Sequence, residues 1–190
     1  KDKDLPVFFG SSLKGKKGLW LDSFQKRNKL QSKPEKLFLE VGCHKGLCLG
    51  LMAQENPKSA FLGVDFTLKR CFLTAKRLFD LGLNNAFSVL ADARFVDQFI
   101  NNNELDGAII FFPDPWLKRS QRHHRLVNSS FSKMLFSLLK PNGFIWIKTD
   151  QASYFEIIAE HLKEAGLHRL DLSLELKDKF FQEKSISHFE

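Results

Sequence analysis

The sequence predicts an α/β protein with a doubly wound, mostly parallel sheet. Two observations carry this. From residue 34 onward, short apolar runs alternate with amphipathic stretches of helical length, the pattern of βαβ units with right-handed crossovers. Several of those runs, above all "LDGAIIFF" (105–112), are apolar almost without a break, as strands buried on both faces are.

The elements follow in order. "LFLEV" (37–41) is the first strand of this series and ends at Gly42, with a helical pattern after it through Asn56-Pro57. "AFLGVD" (60–65) is the second, followed by the helix "LKRCFLTAKRLFDLG" (68–82), closed by Gly82. "AFSVLAD" (86–92) is the third strand and 105–112 the fourth. A helix over 127–139 ends before "KPNG", and "FIWIKTD" (144–150) is the fifth strand. "ASYFEIIAEHLKEAG" (152–166) is a helix capped by Gly166. "HRLDLSLEL" (168–176) alternates as a sixth strand should. Residues 1–33, rich in Lys, Gly, Ser and Gln, are expected to form a basic, flexible or loosely docked arm, and residues 34–190 the folded domain. No internal repeat or low-complexity tract is visible.

At 190 residues the chain is long enough for one core and about one domain. No apolar run reaches the roughly 20 residues of a membrane span. The charged start shows no signal-peptide pattern and no initiator Met, which fits a numbering that begins within a longer protein. Cys43, Cys48 and Cys71 lack paired spacing and are expected as reduced thiols, consistent with a cytoplasmic location. No second ligand pair follows Cys43-His44 at zinc spacing, so no metal is expected.

The net charge of +7 is unevenly placed. Residues 1–33 carry nine Lys/Arg against three Asp, and residues 117–125 carry Lys118, Arg119, Arg122 and Arg125 with no acid. Basic excess confined to two segments points to a polyanionic partner.

Five successive strands end in or beside an acid: Glu40, Asp65, Asp92, Asp114 and Asp150. One such Asp is a common helix cap. Five in series lie where open α/β sheets bind ligands, outside the carboxyl ends of their strands. In "EVGCHKG", Gly42 permits a tight turn and Gly46 a close backbone approach, with His44 where a G-x-G-x-G loop has its middle glycine. Asp65 is placed to accept from ribose hydroxyls and Asp92 to meet an adenine amino group. Together they describe a nucleoside-bearing cofactor, and the lack of a Gly-rich phosphate loop with a Lys disfavours ATP or GTP. The fourth strand runs into "FFPDPWLKR", where prolines bracket Asp114 and push Phe112 and Asp114 toward extended backbone. A stiff loop holds its carboxylate in place at little further entropy loss. Trp116 offers a surface for a base, or packs into the core.

The segments "LEVGCHKG", "GVD", "LADA", "FFPDPWLKRSQRHHRLV", "KTDQASY" and "SHFE" resemble the bacterial single-chain tRNA (guanine-N7)-methyltransferases, from about Leu37 to Glu190. That resemblance implies the Rossmann-like, seven-stranded class I AdoMet-dependent methyltransferase sheet. It implies methyl transfer from S-adenosyl-L-methionine to guanine N7 in a tRNA variable loop. It also implies contacts to the cofactor from Glu40, Gly42, Gly46, Asp65, Asp92 and Asp114, with Asp114 the active-site acid. Lys118, Asp150, Ser187, Phe189 and Glu190 would contact the substrate, Ser187 replacing the family's Thr. Arg119, Arg122 and Arg125 are expected on the tRNA backbone. His44 departs from the family glycine, so the loop must bend differently or His44 must point away. Two alternatives stay open: a non-catalytic RNA-binding module on the same fold, and an AdoMet enzyme with a protein or small-molecule substrate.

Overall fold

A computed structural model describes residues 5–28 and 32–168. Within them lies a six-stranded, all-parallel sheet in the order β1-β4-β3-β2-β5-β6. The strands are β1 (Val7–Phe9), β2 (Lys36–Val41), β3 (Ser59–Asp65), β4 (Ala86–Leu90), β5 (Leu105–Phe111) and β6 (Leu139–Lys148). The helices are α1 (Trp20–Asn28), α2 (Leu47–Glu55), α3 (Leu68–Asp80), α4 (Ser129–Leu138) and α5 (Ala152–Glu164). Strand order runs outward from β2 through β3 to β4, then restarts on the other side with β5. The gap between β2 and β5 is therefore the topological switch point, where such sheets bind ligands.

Every residue of β3 is buried, which is why its sequence is apolar without alternation. In α3 the buried residues are Cys71, Thr74, Ala75 and Leu78, one stripe at helical spacing. Cys48, Leu49, Met52 and Ala53 of α2 and Leu78 of α3 pack with Phe61 and Ile109 on one sheet face. Trp20 and Phe24 of α1, Phe131, Leu135 and Leu138 of α4, and Tyr154 and Ile158 of α5 form the core on the other. Asn128 caps α4, its side chain accepting from the Phe131 N–H at 3.0 Å.

Residues 5–28, within the segment expected to be a flexible or loosely docked arm, pack onto the sheet. There, β1 pairs in parallel with β4, Val7 against Ser88. Trp20 and Phe24, one helical turn apart, are fully buried. The Trp20 indole donates to the Phe99 carbonyl at 2.8 Å, and Phe24 stacks on Phe87 at 3.9 Å between centroids. Burial of each such ring stabilises by about 1.5–3 kcal/mol, enough to seat a short segment whose surroundings are basic. β6 also starts earlier than expected, at Leu139, reaching β5 through an irregularity around Pro141, Asn142 and Gly143. The expected strand at 168–176 lies outside the described residues, apart from His168, which is in neither helix nor strand.

Candidate active site

The acids predicted at the strand ends come together on one rim, ordered Asp92, Asp65, Glu40, Asp114, Asp150 by their strands. Their surroundings differ sharply.

Glu40, next to last in β2, is 6% exposed. Burial pushes its carboxyl up to about 7, offset in part by hydrogen bonds from Cys48 and Leu49 in the first turn of α2. Its Oε2 has no partner among the described residues. A buried polar atom without a partner is unusual and calls for a reason. The loop after it turns through two left-handed glycines, Gly42 at φ 77° and Gly46 at φ 69°. A Cβ on Gly46 would stand 2.6 Å from the Thr74 side chain, so glycine is required there. A Cβ on Gly42 would meet nothing within 4 Å, leaving open space over the turn.

His44 resolves its departure by adopting the left-handed backbone itself, at φ 49°. The loop thus keeps a glycine-like bend at a strain of about 1 kcal/mol. Its N–H donates to Asp65 at 3.3 Å and its carbonyl accepts from the Thr74 hydroxyl at 3.0 Å. Burial and the nearby Arg70 and Lys45 hold the His44 imidazole below its usual range.

Asp65 is buried and also accepts from the Thr67 N–H at 2.8 Å. Arg70 lies 3.8 Å away. A carboxylate has about four acceptor positions, so these contacts fix its orientation without filling it. Asp92 is engaged differently. It caps the 3-10 turn Ala93–Gln98 and pairs with the Arg94 guanidinium, whose hydrogen bond holds the Asp92 carboxyl below its usual range. Capping accounts for this acid as it stands.

Asp114 is exposed, in the loop leaving β5. Phe112, expected in extended backbone before Pro113, instead has φ 51°, and Trp116 has φ 39°. The reason lies in the ladder: the Phe112 N–H donates to the Lys148 carbonyl at 2.8 Å, so the chain stays bound to β6 and turns abruptly afterwards. Two non-glycine residues in left-handed backbone mark this as a strained loop. Asp150, exposed beyond β6, sits at the neighbouring strand end, just before α5.

The basic run forms a 3-10 turn, Arg119–His124. Lys118, Arg119 and Arg122 are exposed. Arg125 is not: it is 8% exposed and turned inward, unlike the solvated cation the sequence leads one to expect. Its Nε donates to the Pro115 carbonyl at 2.7 Å, and its guanidinium lies 4.8 Å from the centre of the Tyr154 ring. Trp116 is half-buried and packs 5.1 Å from His124, which in turn lies 3.9 Å from His123. Ser187, Phe189 and Glu190 lie outside the described residues.

Among the described residues no group of three or more His, Cys, Asp or Glu could hold a metal ion. The three cysteines are free and buried. No helix among them is long and apolar enough to cross a membrane.

A family model described as "Putative methyltransferase" matches residues 34–190. The tRNA (guanine-N(7)-)-methyltransferase of Mycoplasmopsis pulmonis is 30% identical over 148 residues, 78% of this chain and 72% of that protein. The enzyme of the same name from Clostridium kluyveri is 25% identical over 174 residues, 92% of this chain and 79% of its own. Among solved structures, the [4+2]-cyclase SpnF superposes with a TM-score of 0.56 at 19% identity, covering 77% of this chain and 55% of that one. An antibiotic-related methyltransferase gives 0.55 at 19% identity, covering 72% and 71%. At such identities the shared feature is the fold.

Proposed function

The chain belongs to the tRNA (guanine-N7)-methyltransferase family, and from that premise we propose that it methylates N7 of a guanine in the variable loop of tRNA, with S-adenosyl-L-methionine as donor, in the cytoplasm. The observation that carries this reading is the pairing, at the switch point, of a glycine-turned loop after β2 with a strained, acid-bearing loop after β5.

The residues present fit the donor. Glu40 offers a buried oxygen without a partner, and Gly42 leaves open space beside it. Glu40, Gly42, Gly46 and Asp65 would hold it, with Asp92 reached once its pairing to Arg94 is exchanged. When bound, S-adenosyl-L-methionine supplies a methyl group on a sulfonium, an electrophile that needs no further activation.

Guanine N7 has a lone pair and no proton, so the chain need not supply a general base. What remains is orientation, which a rigid loop provides. Methylation leaves the purine positively charged. Asp114 and Asp150, both exposed on the rim, would stabilise that cation and offer acceptors to a guanine N–H if the base enters between them. Lys118, Arg119 and Arg122 supply exposed cations beside them for the phosphate backbone.

Methyl-labelled donor incubated with tRNA tests the proposal. The expected outcome is label in 7-methylguanosine. Retained tRNA binding with no donor binding in calorimetry would favour the RNA-binding module, and label on another substrate class would favour the other enzyme.

A further inference from the structure

Arg125 is a buried cation in a run of exposed ones, and its contacts are specific. One edge of its guanidinium donates to the carbonyl of Pro115, the residue after Asp114. Its face covers the ring of Tyr154, which is fully buried in the first turn of α5, four residues after Asp150. Its own carbonyl accepts from the Asn128 side chain that caps α4. Arg125 is thus held from behind and reaches forward to two elements that carry an acid each.

We propose that Arg125 is a positioning residue: by tying the Pro115 carbonyl to the face of Tyr154, it fixes the strained Asp114 loop against the start of α5 and so sets the spacing of Asp114 and Asp150. The proposal rests on the reading of this rim as the methylation site. Backbone strain at Phe112 and Trp116 persists only where surroundings enforce it, and the Arg125 side chain grips the loop between them at Pro115. A planar fork can donate along its edge and stack on its face at once, which an ammonium cannot. Burial holds the Tyr154 hydroxyl above its usual range, offset in part by the Val127 backbone and by the Arg125 charge, with the Asp114 charge adding a smaller upward push.

The test is Arg125→Lys, which keeps the charge and loses the fork. Turnover of tRNA methylation is expected to fall about ten-fold, given that small misplacements of reacting groups cost up to about a hundred-fold. KM for tRNA, its salt dependence and donor affinity should stay near wild type. In an Asp114→Asn background the same substitution should cost less than about two-fold, because the spacing it sets matters only while both carboxylates are present. Trypsin under native conditions should cut after Lys118 or Arg119 at least about five-fold faster in Arg125→Lys, since the loop opens more often. Equal losses in both backgrounds overturn the proposal. So does a raised KM with a shallower salt slope and unchanged turnover, which would make Arg125 a direct tRNA contact. Should Arg125→Lys not fold, Arg125→Gln takes its place, and failure of both assigns Arg125 to folding alone. If wild type methylates no tRNA, the functional reading has failed by itself. The trypsin comparison then decides: faster cleavage sustains the tether, and an unchanged rate removes it.

Discussion

The two sides of the switch point present their acids in opposite ways. Toward β4, each carboxylate is already engaged by the chain: Glu40 is buried, Asp65 is buried and oriented by backbone N–H groups, and the half-buried Asp92 is paired with Arg94. Toward β6, Asp114 and Asp150 stand exposed beside exposed cations. The first side is built by the chain itself, and the second awaits charge from outside. A small ligand of fixed shape suits a site prepared in advance. A large polyanion, held mainly through phosphates, suits groups left solvated until it arrives.

If that division holds, substitutions on the two sides separate in their effects. Asp114→Asn, on the open side, should reduce turnover on the order of a hundred-fold with an unchanged thermal midpoint and unchanged donor affinity. Normal turnover would remove Asp114 from the chemistry. Asp65→Ala, on the enclosed side, should weaken donor binding by on the order of 1–3 kcal/mol in calorimetry and leave tRNA affinity alone. Equal losses for both ligands would erase the division.

Glu40 sharpens the comparison through pH. Its carboxyl titrates near 7 when folded, against 4.5 when exposed. Between those values the folded chain holds a proton that the unfolded chain has released. This contribution to stability is fully present below about 4.5 and is lost as pH rises through about 7, with a slope of at most about 1.4 kcal/mol per pH unit. Urea midpoints of the ligand-free protein at pH 5 and 8 should show the decline in wild type and a flatter response in Glu40→Gln. Identical pH responses would mean that Glu40 ionises freely. The smallest effect belongs to Arg122→Ala, which should lower the salt dependence of tRNA binding by roughly one phosphate contact. A slope equal to that of wild type would return Arg122 to the solvated surface.

Much of this was legible in the sequence, for physical reasons. β3 and β5 are buried on both faces, so their apolar runs announced them, and the ends of those runs located Asp65 and Asp114. β1 was not legible. Three residues carry no period, and they become a strand only because the edge of β4 is there to receive them. The signal that could have found α1 is Trp20 and Phe24 at helical spacing, hidden among lysines. Arg125 was misread because a basic run looks uniformly solvated. Only the fold reveals which cation has a carbonyl at its edge and a ring at its face. The backbone of Phe112 was misread because the rule for residues before proline is local, whereas the bond to Lys148 is not.

The pairing of Val7 with Ser88 also has a consequence in time. During synthesis the first strand leaves the ribosome about eighty residues ahead of its partner. At roughly 5–20 residues per second, it waits on the order of four to sixteen seconds. Throughout that interval Phe8, Trp20 and Phe24 lack the Phe87 ring against which Phe8 and Phe24 pack, and once β4 forms, its outer edge stays open until β1 returns. An open edge invites strands from other chains. The cations around β1 and α1, Lys14, Lys16, Lys17, Lys26 and Arg27, put like charge beside that edge, which disfavours the approach of a second copy until β1 docks.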